Sequence, residues 1–543
     1  MTELTASPHF SGLDINLEHT MPEVLTHLAA RHGERPALVG EDDTVTSYAG
    51  LAQRVRRLAA ALVANDIGHG DRVAIWAPNS PEWIVATLAI ETIGAIMVPI
   101  NTRFKGLEAG YVLEKTRAKI LFTVASFLGI DFAGMLVEAS GGPGEGRPAK
   151  GLPALDRIVL LDPASLEEFE ADQADPAVVQ ARMDAVKPTD TADILFTSGT
   201  TGKPKGAMHS HGQALWMPAV WNVSNDLREG DKAAIVNPFF HSFGYRSGFV
   251  SHLIAGMTVY PLSSFDPEGL LGLIEREKIT VLMGPPTIFL SLMEHPRFRE
   301  FNLSSLRSGH TGASKVPVEL IEAGRTLFGF DLFLTSFGQT ESTALVTVNY
   351  PDADFETIAR TVGKPLPGVE LKIIDAEGTA VPQGESGELL VRGPNVMQGY
   401  FEEPEQTAAT IDPDGWLHTG DVGMIGDDGN LRILDRLKDV VIVGGFNAYP
   451  AEIENLLRTH PDVADVAIIA WPDERMGEVC AACIILRPGA AMDLKGLTAW
   501  CRERMANYKV PRHLFVVDEF PRTPLGKVQK FLLRDQVQAA AEA

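Results

Sequence analysis

Thr197-Ser198-Gly199-Thr200-Thr201-Gly202-Lys203-Pro204-Lys205-Gly206 is the stretch around which the rest of the chain is arranged. It follows the apolar run Ile194-Leu195-Phe196, and an apolar run ended by glycine reads as a strand feeding a loop. Glycine lets backbone N–H groups approach an anion closely, while hydroxyls and ammonium groups supply the other donors that phosphate oxygens need. No Gly-Lys-Ser/Thr closes the segment ahead of a helix, so it is not a Walker loop. A plain surface loop of small polar residues would account for the glycines and the serine. It gives no role to Lys203 and Lys205 behind a strand, and phosphate binding does.

The chain has 543 residues, enough for about two to four domains. Apolar residues make up 45% and charged residues 22%, an ordinary globular balance. A formal charge of −24 argues against nonspecific binding to nucleic acid or anionic lipid. Three cysteines do not make a disulfide framework and point to a reducing compartment. Cys480 and Cys483 lie within a strand-like run, where positions three apart face opposite ways, so both are expected in the core. Met1–Leu17 carries no apolar signal core, and Ile84–Ile100 is interrupted by Glu91, Thr92 and Pro99 and is too short to span a bilayer. A cytoplasmic protein with no integral membrane segment is expected.

Helical spacing recurs over 23–31 and 48–65, a short strand is expected at 72–76, a helix from Glu82, and a buried strand at 95–100. Residues 140–153 read as a loop and the acidic stretch 167–175 as a solvated helix face. Further on, 236–240 and 280–283 read as strands flanking a helix at 267–278, and strands at 371–374 and 389–391 suggest a β-rich subdomain. The alternation gives an α/β class, with layered α/β subdomains and the β-rich piece in residues 1–435. The charged break Asp435-Arg436-Leu437-Lys438-Asp439 separates these from a small α+β domain, residues 436–543.

Four more stretches add to the first: Phe337-Gly338-Gln339-Thr340-Glu341, Trp416-Leu417-His418-Thr419-Gly420-Asp421, Gly444-Gly445-Phe446-Asn447 before Pro450-Ala451-Glu452, and Pro521-Arg522-Thr523-Pro524-Leu525-Gly526-Lys527. In this order and spacing the five resemble the adenylate-forming superfamily of acyl-CoA synthetases, stand-alone adenylation domains and firefly luciferases. The resemblance runs from about Pro22 to Arg534. Within that superfamily the wording around Asn237–Tyr245, with Gly284-Pro285-Pro286-Thr287 and Gly393-Pro394-Asn395-Val396-Met397, looks like actinobacterial fatty-acid and steroid-degradation acyl-CoA ligases. It implies ATP, Mg²⁺ and coenzyme A as cofactors, a carboxylic acid as substrate, and dimers as a frequent assembly.

The chemistry explains the residue types. A carboxylate is a poor electrophile, and joining it to the α-phosphate of ATP makes an anhydride that a thiol can attack. An anionic acid must meet a polyanionic nucleotide, so positive charge and oriented donors carry the catalysis. By resemblance, Thr197, Ser198, Gly199, Thr200, Thr201, Gly202 and Lys205 hold the β- and γ-phosphates. Thr340 would meet the α-phosphate, and Glu341 would be the Mg²⁺ ligand. Gly312, Ala313 and Ser314 would wall the adenine, with Phe337, Gly338 and Gln339 beside the nucleotide; Phe337 stands where most members have tyrosine. Asp421 would accept from the ribose hydroxyls, assisted by Arg436. Lys527 would bridge the attacking carboxylate and the α-phosphate, an ammonium arriving on a mobile small domain. Lys438 takes the hinge position, and a second pose would present Gly444, Gly445 and Phe446 to the pantetheine arm.

The acid side is read from Asn237-Pro238-Phe239-Phe240-His241-Ser242-Phe243-Gly244-Tyr245. By the same resemblance this segment lines the acid pocket with His241 near the carboxylate, and the lack of the aspartate that amino-acid-activating members offer there favours an uncharged acyl group. Trp216, Trp221, Tyr245, His310 and Leu345 are further candidate walls for a medium or long fatty acid or a bulky alicyclic, steroid-derived acid. An ATP-dependent acyl-CoA ligase is the reading that uses both Glu341 and Lys527. Loading of a carrier protein is the enzymatic alternative, and a nonenzymatic nucleotide-binding regulator would need neither residue.

Overall fold

Short β-branched and alanine-rich runs alternate with helices along the first two thirds of the chain, and the computed structural model assembles them into two sheets. It describes residues 9–10, 13–197, 204–312, 316–443, 446–473, 476–505, 507–522 and 528–542. By its contacts the chain separates into two units, residues 1–370 with 391–417, and residues 371–390 with 418–543.

The first unit holds a seven-stranded and a nine-stranded sheet. In the seven-stranded sheet, strands Arg72–Trp76, Ile96–Pro99, Ile120–Thr123 and Arg157–Leu160 run parallel, and Thr191–Thr197 joins them beside Ile96–Pro99. Lys205–Ser210 returns antiparallel along Thr191–Thr197. The nine-stranded sheet is parallel through Lys232–Ile235, Thr258–Pro261, Val281–Gly284, Ser308–Thr311 and Leu332–Phe337. Helix Pro81–Thr92 begins at a Ser80 cap with proline in its first turn, and every residue from Trp83 to Thr92 is buried. It rests on strands Arg72–Trp76 and Ile96–Pro99, while Trp83 meets Phe239, Tyr245 and Phe249 on its other side. A helix that is apolar all round has to be enclosed in this way.

Two sequence expectations change. The strand expected at 236–240 ends earlier, at Lys232–Ile235. Pro238 has no N–H to give a ladder, and the chain turns there, with the His241 amide donating to the Pro238 carbonyl at 3.1 Å. The acidic stretch 167–175 is not one helix face. Helix Pro163–Phe169 stops inside it, Glu170 pairs with Arg57, and Asp175 caps the next helix, Pro176–Ala185.

In the second unit, strands Val463–Asp473 and Gly477–Leu486 form a long antiparallel hairpin. Helices Pro450–Arg458 and Leu494–Arg502 cover one face, bringing Leu457 and Leu497 to the cluster that holds Cys480. Helix Lys530–Glu542 covers the other, where Leu533 and Val537 join Cys483. The two cysteines therefore point opposite ways, and all three thiols are free and buried. The contact division falls before the break at 435/436. Strands Glu370–Ile374, Ser386–Arg392, Leu417–Ile425 and Leu431–Arg436 share one four-stranded sheet, whose ladder holds most of the β-rich piece to the C-terminal residues. The break itself is a 3-10 turn, Leu437–Asp439, between strands Leu431–Arg436 and Val441–Val443.

Candidate active site

The phosphate-loop motif is carried by an antiparallel hairpin in which Thr197 pairs with Lys205. Ser198, Gly199, Thr200, Thr201 and Gly202 between them lie outside the described residues, as do Ala313, Ser314, Gly444, Gly445 and Lys527. At the foot of the hairpin the Thr197 hydroxyl donates to Glu341 Oε1 at 3.2 Å. The Tyr400 hydroxyl donates to the same oxygen at 2.9 Å. Burial and the neighbouring Glu341 carboxylate both push the Tyr400 phenol far above its ordinary range, so it stays a donor. Lys205 Nζ lies 5.1 Å from the centre of the Tyr400 ring and donates to Gln406 at 2.7 Å. Tyr400 was not anticipated from the sequence, because its strand, Gly399–Tyr400, is only two residues long.

Thr340 and Glu341 occupy a 3-10 turn, Thr340–Ser342, directly after strand Leu332–Phe337. Gly338 precedes it for a steric reason. A Cβ there would stand 2.0 Å from the Ala344 carbonyl oxygen, and Thr343 and Ala344 both have positive φ. Gly312 is less constrained, since its Cβ would meet nothing closer than 3.7 Å. Phe337 pairs with Thr347 in the sheet.

Behind the turn lies a fully buried polar chain that the sequence reading missed. Asp193 Oδ1 meets His209 Nδ1 at 2.9 Å, and Asp193 Oδ2 meets Arg246 Nη2 at 2.5 Å, with all three side chains 0% exposed. His209 Nε2 lies 2.7 Å from the Thr340 carbonyl oxygen. Burial alone would raise the Asp193 carboxyl, but Arg246 and then His209 override it and hold it below the usual carboxylate range. Tyr245, next to Arg246, donates to Glu91, whose carboxyl burial pushes up to about 8.

On the acid side, His241 caps a short turn, its Nδ1 accepting from the Phe243 amide at 3.2 Å. That places the ring proton on Nε2, and burial lowers the ring to about 4, so it is neutral near pH 7. Gly244 closes the turn where a Cβ would lie 2.2 Å from the Pro238 carbonyl oxygen. Trp216, Trp221, Tyr245, His310 and Leu345 are all buried. Both nitrogens of His310 are engaged, by Asn225 at 2.8 Å and Ser336 at 2.9 Å, so only its ring edge and face are available to a neighbour.

In the second unit, Asp421 and Arg436 are directly opposed in antiparallel strands and form an ion pair of 2.9 Å. Arg436 also donates to the Thr419 carbonyl at 3.3 Å. Lys438 sits in the 3-10 turn and Phe446 opens strand Phe446–Ala448; their side chains are outside the described set.

Residues 25–401 match the AMP-binding enzyme family, and residues 452–527 match the AMP-binding enzyme C-terminal domain. The chain belongs to the AMP-binding enzyme family. It is 44% identical to a 3-[(3aS,4S,7aS)-7a-methyl-1,5-dioxo-octahydro-1H-inden-4-yl]propanoyl:CoA ligase of Mycobacterium tuberculosis, over 96% of this chain and 99% of that protein. A Rhodococcus jostii ligase of the same name is 43% identical over 95% and 98%. Among solved structures, the anthranilate CoA ligase AuaEII with anthranoyl-AMP superposes with a TM-score of 0.83 at 28% identity, covering 98% of this chain and 99% of that one.

This AMP-binding enzyme is an acid–thiol ligase, using ATP to activate a carboxylic acid and CoA to accept it. The residues present suit Mg²⁺, which takes one or two carboxylates and completes its shell with water and phosphate oxygens. Glu341, steadied by two hydroxyls, offers one such carboxylate. Among the described residues no group of three His, Cys, Asp or Glu could hold a metal without the nucleotide's help. Nor, among them, is any helix long and apolar enough to cross a membrane.

Proposed function

We propose that the acid is a bulky alicyclic propanoate, activated at the Thr197–Gly206 hairpin and the Thr340–Glu341 turn. The convergence of Thr197 and Tyr400 on the Glu341 carboxylate carries the placement of the nucleotide end. Similarity to ligases of a bicyclic dioxo-propanoate, over nearly the whole chain, supports the acid class. So does a neutral His241 two residues before Phe243, whose ring meets Trp221, which suits an uncharged ring system beyond the carboxylate.

In this reading the hairpin's donors and Lys205 hold the β- and γ-phosphates, and Mg²⁺ on Glu341 offsets their charge when bound. Thr340 positions the α-phosphate, and His241 Nε2–H donates toward the acid. Asp421, held in an ion pair with Arg436, accepts from ribose hydroxyls. Lys527 stabilises the charge of the first half-reaction, after which rotation at Lys438 brings Gly444, Gly445 and Phe446 to the CoA arm. We place the moving boundary at 435/436. Free, buried cysteines support a reducing, cytoplasmic setting.

AMP release with CoA and acetate, octanoate, palmitate, cinnamate or the bicyclic dioxo-propanoate tests the substrate. The bicyclic acid is expected to have the highest kcat/KM, by at least about tenfold; a higher value for octanoate or palmitate overturns the acid class. Lys527→Ala is expected to abolish acyl-AMP formation while sparing thiolation of supplied acyl-adenylate. Full-rate adenylation in that variant would remove Lys527 from the mechanism.

A further inference from the structure

The Asp193, His209 and Arg246 chain has no part in the reaction described so far, yet it ends on the backbone of the residue placed at the α-phosphate. His209 offers one ring nitrogen to a carboxylate at 2.9 Å and the other to the Thr340 carbonyl at 2.7 Å. Both partners are acceptors, a carboxylate oxygen facing one ring nitrogen and a backbone carbonyl oxygen facing the other. Asp193 is fixed in turn by Arg246, which belongs to the segment Tyr245–Val250 following the His241 turn. That segment is a single π-helical stretch interrupted at Gly248, a geometry often found where function constrains a helix. Arg246 also lies over the Tyr245 ring at 5.2 Å, and Tyr245 is anchored on Glu91 of the enclosed helix.

The path is continuous: from helix Pro81–Thr92 through Glu91 and Tyr245, Arg246, Asp193 and His209 to the Thr340 carbonyl. The Thr340 carbonyl also accepts the Thr343 amide at 3.0 Å, which closes the turn. Glu341 follows at once, and its own carbonyl accepts from the Met397 amide at 3.0 Å. A rigid hydrogen-bond partner behind Thr340 therefore sets where the Thr340 hydroxyl and the Glu341 carboxylate stand.

We propose that His209 is a positioning residue for adenylation, pinning the Thr340–Glu341 turn to the acid-side helix through Asp193 and Arg246. The proposal rests on the reading of Thr340 and Glu341 given above. It assigns His209 no contact with substrate. Its effect is to hold two groups that would touch the nucleotide, where a displacement near 1 Å can cost a large factor in rate.

His209→Gln and His209→Asn separate this role from simple filling of the interior. The glutamine amide reaches as far as Nε2 and can still donate to Thr340; the asparagine amide stops at the Asp193 end. Acid-dependent ATP–pyrophosphate exchange on the full chain, with the best acid of the panel, is the readout. His209→Gln is expected to keep kcat within about threefold of the parent, and His209→Asn to lower it about 10- to 100-fold with the acid KM within about threefold. Thermal midpoints of the two variants should agree within a few degrees. Equal rates, or a faster asparagine variant, overturn the proposal, because they assign His209 only to satisfying Asp193. Should either variant fail to fold, Asp193→Asn carries the test: about a fivefold or greater fall in exchange at unchanged acid KM supports positioning, and a parental rate overturns it. Thr340→Ala and Glu341→Gln are run alongside. If both exchange at the parental rate, the reading of the turn fails and the proposal with it; if both are slow while the two His209 variants match, the positioning role alone is lost.

Discussion

Gly338 shows why a motif residue can be fixed by geometry rather than by chemistry. Its neighbours Thr343 and Ala344 double back with φ of 53° and 77°, and the Ala344 carbonyl fills the space a side chain would need. Gly338→Ala is expected to cost about 1–3 kcal/mol in chemical denaturation and to displace the Thr340 turn, slowing exchange as well. Tyr400→Phe removes one of two donors on Glu341 and should leave stability within about 1 kcal/mol while raising the Mg²⁺ concentration needed for half-maximal exchange. His310 gives a pH signature. Burial lowers its ring from 6.5 to about 3, with Asn225 and Ser336 as its hydrogen-bond partners. Above pH 6.5 the ring is neutral in both states and contributes no slope. As pH falls below 6.5 the unfolded chain takes up a proton that the folded ring refuses, so stability declines. By pH 5 the loss from this one group is about 2 kcal/mol. His310→Asn should lose correspondingly less between pH 7 and pH 5 when denaturation midpoints are compared.

Among the elements, helix Pro81–Thr92 is the one buried from Trp83 to Thr92, packed on strands Arg72–Trp76 and Ile96–Pro99 of the seven-stranded sheet. Trp83, 0% exposed, reaches Phe239, Tyr245 and Phe249, so Trp83→Ala should cost about 3–5 kcal/mol in denaturant unfolding of the first unit. How much could be read beforehand differs from element to element for physical reasons. Tyr48–Ala64, with its Ser47 cap and one apolar face, was legible because one side meets water. Helix Pro81–Thr92 has no polar face, so only its Ser80 cap and first-turn proline gave its start. Val236–Phe240 misled because apolar residues serve a turn as well as a strand when they are buried, and only Pro238 marked the difference. Asp193 carried a signal that went unused. A carboxylate in the middle of the apolar strand Thr191–Thr197 must find a buried cation, and the sequence holds His209 and Arg246 within reach of that rule. What one sequence could not give was which of its many cations answers, because that pairing is set by the stacking of a hairpin against a helix about 50 residues on.

For the whole molecule, the proposed alternation between half-reactions turns on one short segment, which lies inside the second unit as the contacts divide the chain. Lys438 lies in a three-residue 3-10 turn between two strands, and proline there would fix φ and remove a donor. Lys438→Pro is expected to slow one half-reaction at least about tenfold more than the other, measured as pyrophosphate exchange against thiolation of supplied acyl-adenylate. Equal effects would remove the pivot from this position. The motifs assigned to phosphate binding could be proposed from the sequence because phosphate chemistry restricts residue types within a few positions of each other; the contacts of Tyr400 with Glu341 and of His209 with Thr340 could not, since each spans more than 50 residues of chain and neither residue stands in a distinctive pattern.

The burial of all three cysteines has a practical corollary for testing that proposed motion. Their thiols are pushed up to about 12 at Cys480 and Cys483 and about 11 at Cys501, so thiolate is scarce at neutral pH. An enzyme that makes a reactive acyl group and admits a free thiol thus exposes no thiol of its own to intercept it. The unmodified chain already serves as a low-background host for maleimide dyes. One surface cysteine introduced on either side of the 435/436 break would let energy transfer between two fluorophores test for that proposed motion in single molecules.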